Sequence, residues 1–262
     1  MNGNGGKALL AATDLSPVQI SNPDGSALFL LIGDHAGNAV PALLGRLGLP
    51  MSELQRHIAI DLGVQALGEA LAARLDAPFI AQAYSRLVID CNRSLDDPGS
   101  ILTESDGTPV PGNHGLPAAD RSARVREIFD PYQAAIAAAL LAGDRSGQLA
   151  ILVSLHSFTP TLQHEHRPWE IGVLYDGGDA RFARCLMAEL AKRSDLCLGD
   201  NQPYQMDATD FTVPRHAYPA SRPYVELEVR QDVLADPARR ADIASLLGDA
   251  LVAAAATIEG GA

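Results

Sequence analysis

The strongest structural signal in the sequence is the segment Ala27-Leu28-Phe29-Leu30-Leu31-Ile32-Gly33-Asp34-His35. Its first six residues are all apolar, and the run stops abruptly at Gly33-Asp34. A second run, Ala150-Ile151-Leu152-Val153-Ser154-Leu155, ends in the same way at His156. Short apolar runs that end in turn or polar residues are typical of strands buried on both faces of a sheet. The chain is therefore expected to fold around these two strands.

Helical patterns alternate with strand patterns on either side of these runs. The spacing predicts helices over residues 52–76, 120–141, 178–193 and 236–258, with an interruption near Pro131. It predicts further extended segments over residues 78–81, 85–89, 171–175 and 224–229, and a loop over the proline- and glycine-rich residues 94–119. Alternating strands and helices indicate an α/β fold whose sheet, mainly parallel or mixed, is covered on both faces. We expect one domain over residues 1–262, with a partly loose N-terminal segment, residues 1–25.

Charge and composition argue against some classes of protein, such as nucleic-acid-binding and membrane proteins. The 262 residues include 20 Lys and Arg against 32 Asp and Glu, a formal net charge of −12. This balance argues against a nucleic-acid-binding surface, which needs clustered cations. We find no apolar run of the roughly 18–20 residues that a membrane helix needs, and no secretory signal, so we expect a cytoplasmic protein without a membrane segment. Cys91, Cys185 and Cys197 are far apart in the sequence and predict free thiols.

Two histidines stand where the two apolar strands end. His35 follows the first strand and His156 closes the second. Ligands of open α/β sheets bind beyond the carboxyl ends of the strands, and imidazole is the commonest zinc ligand. A carboxylate would complete the set: Asp61 lies in an apolar pattern, and Asp34 could either bind a metal or orient His35. Asn38 is a weaker choice because a neutral amide is a poor zinc ligand.

Two further segments carry charged residues that could act in catalysis or in substrate binding. Strand alternation places Glu226, Glu228 and Arg230 on one face of residues 224–229 and just beyond, either as a buried general base or as an exposed Glu–Arg edge. Arg86 and Arg93 flank another apolar segment, and a guanidinium is the natural partner of a substrate carboxylate.

The remaining histidines have weaker signals. His216 could line the pocket, and His164-Glu165-His166 could bind a metal but fits a surface loop better.

Seven segments in order resemble the N-formylglutamate amidohydrolase family. They cover residues 27–235 and comprise Asp34-His35-Ala36-Gly37-Asn38-Ala39-Val40-Pro41, His57-Ile58-Ala59-Ile60-Asp61-Leu62-Gly63, Tyr84-Ser85-Arg86-Leu87-Val88-Ile89-Asp90-Cys91-Asn92-Arg93, Leu155-His156-Ser157-Phe158-Thr159-Pro160, Arg167-Pro168-Trp169-Glu170-Ile171-Gly172-Val173-Leu174-Tyr175, Gly199-Asp200-Asn201-Gln202-Pro203-Tyr204 and Glu226-Leu227-Glu228-Val229-Arg230-Gln231-Asp232.

The resemblance implies a three-layer αβα sandwich like that of the zinc carboxypeptidases and amidases. It implies that His35 and His156 bind zinc and that Glu228 is the general base. It also implies that Asn92 and Arg93, with Arg86, hold a substrate carboxylate. Carboxypeptidases have a glutamate where this chain has Asn38, so the acidic ligand is assigned to Asp61, as in amidases whose ligand comes from the following helix.

The implied activity is hydrolysis of a small N-acyl amino acid, foremost N-formyl-L-glutamate, with Zn2+ or another divalent metal as cofactor. Two alternatives stay open. The same metal centre could serve another N-acyl-amino-acid deacylase, a carboxypeptidase or an amidase, or the fold could be an inactive scaffold that binds an acyl amino acid. A monomer or small homo-oligomer is expected.

Overall fold

A computed structural model describes residues 8–144 and 148–260. A seven-stranded sheet forms its centre, and two short hairpins lie outside it. The strands are β1 (Val18–Ser21), β2 (Phe29–Gly33), β3 (Phe79–Gln82), β4 (Glu104–Ser105), β5 (Thr108–Pro109), β6 (Ile151–Phe158), β7 (Thr161–Leu162), β8 (Glu165–His166), β9 (Ile171–Leu174), β10 (Leu198–Asp200) and β11 (Tyr224–Arg230). The α-helices are α1 (Val64–Leu75), α2 (Ala118–Arg124), α3 (Asp130–Gly143), α4 (Arg181–Leu190), α5 (Thr212–Ala217), α6 (Gln231–Ala235) and α7 (Pro237–Gly260).

The sheet is mixed. Its strand order is β1-β3-β2-β6-β11-β9-β10, and β3, β2, β6 and β11 run parallel to one another. β1 is antiparallel to β3, and β9 is antiparallel to β11. β2 and β6, the two predicted apolar strands, are direct neighbours with Leu30 opposite Leu152. Their carboxyl ends therefore meet at one edge of the sheet.

Helices cover both faces of the sheet, which confirms the predicted three-layer α/β sandwich. Phe29 and Leu31 of β2 pack, with Val153 of β6, into a core closed by α1, α4 and α7. Leu30 and Ile32 point the other way, into a second core closed by α3 and α5. Because successive side chains of a strand point to opposite faces, an uninterrupted apolar run supplies both cores at once.

The predicted helix over residues 52–76 is shorter than expected. A 3-10 turn covers Glu53–Gln55, and the α-helix begins only at Val64. The cause is Gly63, whose φ of +88° is left-handed, so the backbone cannot continue as a right-handed helix through this residue. Asp61 therefore lies in the turn before α1 and not on the helix, and its backbone N–H donates to the carbonyl oxygen of His35 at 2.9 Å.

The prediction of a strand over residues 85–89 is wrong. These residues form a turn, in which the N–H of Val88 donates to the carbonyl oxygen of Ser85 at 2.8 Å. The Ser85 hydroxyl donates to the carbonyl oxygen of Ala59 at 2.8 Å and fixes the turn against the segment before α1. Leu87, Val88 and Ile89 are buried by this tertiary contact and not by strand pairing. An apolar run alone cannot distinguish the two cases.

The N-terminal segment is held from residue 8 onward. Residues 1–7, where the predicted loose segment begins, lie outside the described residues. Leu9 is buried, and the N–H groups of Leu9 and Leu10 donate to the Glu127 carboxylate at 2.8 and 2.9 Å. β1 then pairs with β3 at the edge of the sheet.

The predicted interruption near Pro131 is confirmed. A π-helical turn over Val125–Phe129 joins α2 to α3, directly before the proline. Proline has no backbone N–H to donate, and a widened turn is one way to accommodate that loss.

Among the described residues, one helix is long and apolar enough to cross a membrane by length and composition alone, although the sequence pattern predicted none. α7 has 24 residues and a mean hydropathy of 1.6 over its most apolar window. Seven of its residues are buried in the core that α1 and α4 also line: Ile243, Ala244, Leu247, Gly248, Ala250, Leu251 and Ala254. The core helix of a globular protein satisfies the same length and composition test.

The buried Arg222 side chain connects the end of α3 to the residue before β6. The stability that its ion pair with Asp144 contributes should depend on pH. The Arg222 guanidinium donates to both Asp144 oxygens at 2.7 and 3.0 Å. This contact lowers the pKa of Asp144 below its usual value. A depressed carboxyl pKa stabilises the fold above the unfolded pKa of about 3.9, and that contribution disappears as pH falls through the folded pKa.

We therefore expect Asp144→Asn to lower the free energy of unfolding by about 1–3 kcal/mol at pH 7, because Arg222 loses its counter-ion. The difference from the native protein should shrink as pH falls from 7 through the lowered pKa of Asp144, where the carboxyl group becomes protonated as well. Urea unfolding at a series of pH values from 7 downward measures this. Asp195→Asn, in an exposed pair with Arg193, is the matched control and should leave the free energy of unfolding nearly unchanged. A loss that persists unchanged at low pH would contradict the ion-pair explanation.

Candidate active site

Three side chains from separate parts of the chain converge at the carboxyl edge of the sheet. His35 follows β2, His156 is on β6, and Asp61 lies in the turn before α1. Asp61 Oδ2 is 3.5 Å from His35 Nδ1 and 3.0 Å from His156 Nδ1. All three side chains are buried, and their ligand atoms lie within 4.8 Å of one another. The grouping predicted from the sequence is thus brought together in space.

The far nitrogen of each imidazole is held by other side chains. His35 Nε2 is 2.8 Å from Asp90 Oδ1, which leaves Nδ1 buried and without a hydrogen-bond partner. His156 Nε2 is 3.1 Å from the Ser154 hydroxyl and 3.5 Å from Asp34 Oδ2. Both rings are therefore oriented with Nδ1 toward Asp61.

The carboxylates around His35 and His156 favour the binding of a cation in this cluster. Burial and Arg86 act to lower the pKa of His35, but Asp90 and Asp61 outweigh them and raise it. Burial also opposes protonation of His156, yet Glu226, Asp34 and Asp61 raise its pKa well above the usual value. Burial would raise the pKa of Asp61, but the two imidazoles hold it well below its usual range. Carboxylates therefore dominate the cluster, and positive charge at its centre would stabilise it.

The donor set fits a zinc ion. Two imidazole nitrogens and one carboxylate oxygen leave a fourth position open, as catalytic zinc sites do. The orphaned His35 Nδ1 points to the same conclusion, because a buried acceptor without a partner is costly unless a ligand completes it. The contact between Asp90 and the far nitrogen of His35 is the second contact that metal-binding histidines usually make. His35, Asp61 and His156 are thus the residues that could hold a metal.

Arg86 closes one side of the cluster. Its guanidinium is 3.5 Å from Asp61 Oδ1 and donates to Asp90 Oδ2 at 2.8 Å. Arg86 lies in the turn over residues 85–89. This turn, which replaces the predicted strand, places its side chain beside the cluster. Its position bridges the two carboxylates that face His35.

Two glutamates of β11 face the same cavity as His156. Glu228 is opposite His156 in the parallel pairing, and Glu226 is opposite Ser154. The Oε2 atom of each glutamate is buried without a hydrogen-bond partner. Burial raises the pKa of Glu228 well above its usual value and that of Glu226 to about 7. A bound cation would lower both pKa values, since its charge favours the ionised forms.

A cavity of about 600 Å³ opens in front of these groups. Seven residues predicted for the site line it: His35, Asp61, Arg86, Asn92, Arg93, His156 and Glu228. The Asn92 side chain is already engaged, because its Oδ1 accepts the N–H groups of Phe211 and Thr212 at 3.0 and 2.9 Å. Asn92 therefore shapes the wall where α5 begins, and Arg93 is the member of the pair that faces the cavity with free donors.

Three residues predicted for the pocket do not line it. Asn38 donates to the carbonyl oxygen of Leu54 at 2.9 Å, and His216 Nε2 is 2.7 Å from Gln133 Oε1 behind the site. Arg230 ends β11 and pairs with Asp232. Each had the right residue type, but its long-range packing directs it elsewhere. The histidines of the 164–166 segment also stay outside, on the exposed hairpin that includes β8.

Two roles differ from the sequence interpretation. Asp34 approaches His156 and accepts the Thr212 hydroxyl at 2.8 Å; it does not orient His35. Asp90 orients His35 instead and was not singled out. Its only sequence signal is a lone carboxylate in the apolar run that precedes Asn92-Arg93.

The sequence model of the N-formylglutamate amidohydrolase family matches residues 27–235. The chain belongs to that family. It is accordingly an amidohydrolase that acts on linear amides of small molecules. No functionally curated protein matches the chain.

Two solved structures share its fold along nearly the whole length. Gene product Atu2144 from Agrobacterium tumefaciens is 30% identical, with a TM-score of 0.91 over 96% of this chain and 99% of that one. The N-formylglutamate amidohydrolase from Ralstonia eutropha JMP134 is 21% identical, with a TM-score of 0.75 over 95% of this chain and 100% of that one.

Asp90→Asn tests whether the contact between Asp90 and His35 Nε2 strengthens metal binding by His35. An amide orients His35 less well and withdraws the negative charge, so we expect zinc affinity to fall by about 10–100-fold. Titration of zinc against a chromophoric chelator measures it. Asp242→Asn, at an exposed position of α7, is the matched control. Equal zinc affinity of Asp90→Asn and the native protein would show that Asp90 does not support a metal ligand.

Proposed function

We propose that the protein is a zinc-dependent hydrolase of N-acyl amino acids, with N-formyl-L-glutamate as the substrate and formate and L-glutamate as the products. The observation that carries the proposal is the convergence of two imidazole nitrogens and a carboxylate beside an unpartnered buried glutamate, in a chain of this family. Another divalent metal could replace Zn2+ on the same ligands.

His35, Asp61 and His156 would hold the ion. Zn2+ bound by such ligands polarises an amide carbonyl and lowers the pKa of a bound water from 15.7 toward about 7. The buried Asp90 favours the tautomer of His35 that presents Nδ1 to the shared point beside Asp61, and Ser154, beside His156 Nε2, helps to orient the second ring.

Glu228 moves the proton. Its Oε2 faces the cavity with no partner of its own, so it can accept a proton from the attacking water. The same carboxyl group then donates that proton to the departing amine, since an amine leaves readily only when it is protonated. Burial raises the pKa of Glu228, which favours this second step, and a bound cation would lower it and so favour the first.

Arginines position the substrate. Arg93 faces the cavity near Asp210 and can hold the carboxylate of the amino acid, which orients the amide toward Glu228. Arg86, fixed between Asp61 and Asp90, lies beside the reacting group and can stabilise the negative charge that develops on the carbonyl oxygen.

The size of the cavity favours one alternative. About 600 Å³ falls within the range that accommodates drug-sized ligands. A larger acyl group or a peptide fragment would therefore also fit, which would make the protein a deacylase or amidase of wider range. An inactive scaffold that only binds an acyl amino acid is the remaining alternative.

Formate release from N-formyl-L-glutamate is the test of the proposal. Zinc-loaded protein should release formate, a chelator should abolish the release, and added Zn2+ should restore it. N-acetyl-L-glutamate and a glutamyl dipeptide in parallel assays distinguish the wider range. Metal binding without hydrolysis of any of these substrates would favour the inactive scaffold.

Glu228→Gln should cut turnover by roughly 10²–10⁴-fold because the amide cannot accept or return a proton. Zinc content should stay at the native level, since Glu228 is not among the three converging ligands. Steady-state kinetics and metal analysis of the same preparation measure both quantities. Glu69→Gln, at an exposed position of α1, is the matched control. Should Glu226→Gln show the large loss instead, the proton-transfer role would belong to Glu226.

A further inference from the structure

We propose that Tyr204 and Arg167 form a second anion subsite of the cavity, which binds the side-chain carboxylate of an acidic N-acyl amino acid. The inference rests on the proposed function and specifies its substrate class. It assigns a role to two residues that the mechanism leaves unused.

Arg167 is a buried cation without a counter-ion. Its side chain lies in the segment between β8 and β9, and the residue is only 9% exposed. Among residues 8–144 and 148–260, no carboxylate oxygen lies within 4.0 Å of its guanidinium nitrogens, and its side-chain hydrogen bond is to the Tyr204 hydroxyl, to which Nη1 donates at 2.9 Å. The guanidinium carbon also lies 6.0 Å from the centre of the Phe158 ring. A charge withdrawn from water without a partner is costly, so an arginine in this state suits an incoming anion.

The two arginines that line the cavity, Arg86 and Arg93, each have a carboxylate nearby. Arg86 lies between Asp61 and Asp90, and Arg93 is 3.5 Å from Asp210. Arg167 has no carboxylate within 4.0 Å among the described residues. Its side chain does not line the cavity and acts there through Tyr204, to which it is hydrogen-bonded.

Tyr204 connects Arg167 to the cavity, because it lines the cavity wall and is hydrogen-bonded to Arg167. Its ring lines the wall, is 40% exposed and lies 4.7 Å from the Arg167 guanidinium carbon. Since Arg167 already donates to the phenolic oxygen, the Tyr204 hydroxyl is free to donate its own proton to a ligand. Burial and the charge of Glu228 raise the pKa of Tyr204, so the hydroxyl stays a donor at neutral pH.

The topology separates this subsite from the one at Arg93. Arg93 follows β3 on one side of the central strand β6, whereas Tyr204 follows β10 at the far edge of the sheet. Arg230 fastens the intervening wall by donating to the carbonyl oxygens of residues 167–169, at 3.0 Å for Pro168. Arg93 and Tyr204 both line the cavity, so an amino-acid part that carries two carboxylates can direct one toward Arg93 and the other toward Tyr204.

Kinetics on a matched pair of substrates tests the subsite. N-formyl-L-glutamate and N-formyl-L-glutamine have the same shape, and only the first carries a side-chain charge. Arg167→Met should lower kcat/KM for N-formyl-L-glutamate by about 10–100-fold, mainly through KM, and should change the value for N-formyl-L-glutamine by less than about 3-fold. Arg167→Lys should recover part of the loss because it retains the charge.

Two further variants control for folding. Arg184 lies 5.3 Å over the Tyr175 ring, outside the cavity, so Arg184→Met removes a comparable arginine–tyrosine contact and should leave both substrates unaffected. Tyr204→Phe keeps the ring and removes the hydroxyl donor, and it should reduce selectivity in the same direction even if Arg167→Met does not fold. Equal loss on both substrates, or an unchanged ratio in every variant, would overturn the proposal.

Direct binding separates this inference from the proposed function. Calorimetric titration of the zinc-loaded protein with each of the two substrates should show tighter binding of N-formyl-L-glutamate, and Arg167→Met should remove that preference. If this holds without formate release, the subsite stands and the proposed function fails. If formate is released with a ratio that Arg167 does not affect, the function stands and the subsite fails. If neither ligand binds, both fail.

Discussion

Two imidazoles approach one carboxylate oxygen, Asp61 Oδ2, and the strand order and the start of α1 together make this contact possible. Asp61 Oδ2 can lie near both His35 and His156 only because β2 and β6 are parallel neighbours whose carboxyl ends coincide. The turn before α1 completes the arrangement, since the backbone of Asp61 is bonded to the carbonyl oxygen of His35. A change in strand order or helix start would separate the three side chains.

Burial of so much charge determines what surrounds the cluster. Asp90 and Arg86 compensate His35 and Asp61, and Asp34 is held beside His156 by Thr212. Among the buried atoms of this cluster without a hydrogen-bond partner, His35 Nδ1 and the Oε2 atoms of Glu226 and Glu228 belong to residues that line the cavity, whereas Asp34 Oδ2 does not. Buried groups without partners are costly in a folded protein, so the unpartnered Oε2 atoms of Glu226 and Glu228 mark where substrate and metal are expected to act.

Local sequence patterns predicted the strands and histidines that form the site better than they predicted its turns and long-range contacts. The two apolar strands and the histidines at their ends follow from short-range periodicity, which strand alternation dictates. The start of α1 depends on the left-handed φ of Gly63, and the turn at 85–89 depends on a hydrogen bond to Ala59. The roles of Asp90 and Arg167 depend on residues far away in the sequence. For the same reason His216, a suitable residue type, is directed to Gln133 instead of the cavity.

Anomalous diffraction from crystals of the zinc-loaded protein would show whether His35, Asp61 and His156 bind the metal together. A difference map collected at the zinc absorption edge should show one strong peak about 2.0–2.2 Å from His35 Nδ1, from His156 Nδ1 and from an Asp61 carboxylate oxygen. A peak bound by other residues, or no peak at this position in a fully zinc-loaded crystal, would contradict the account.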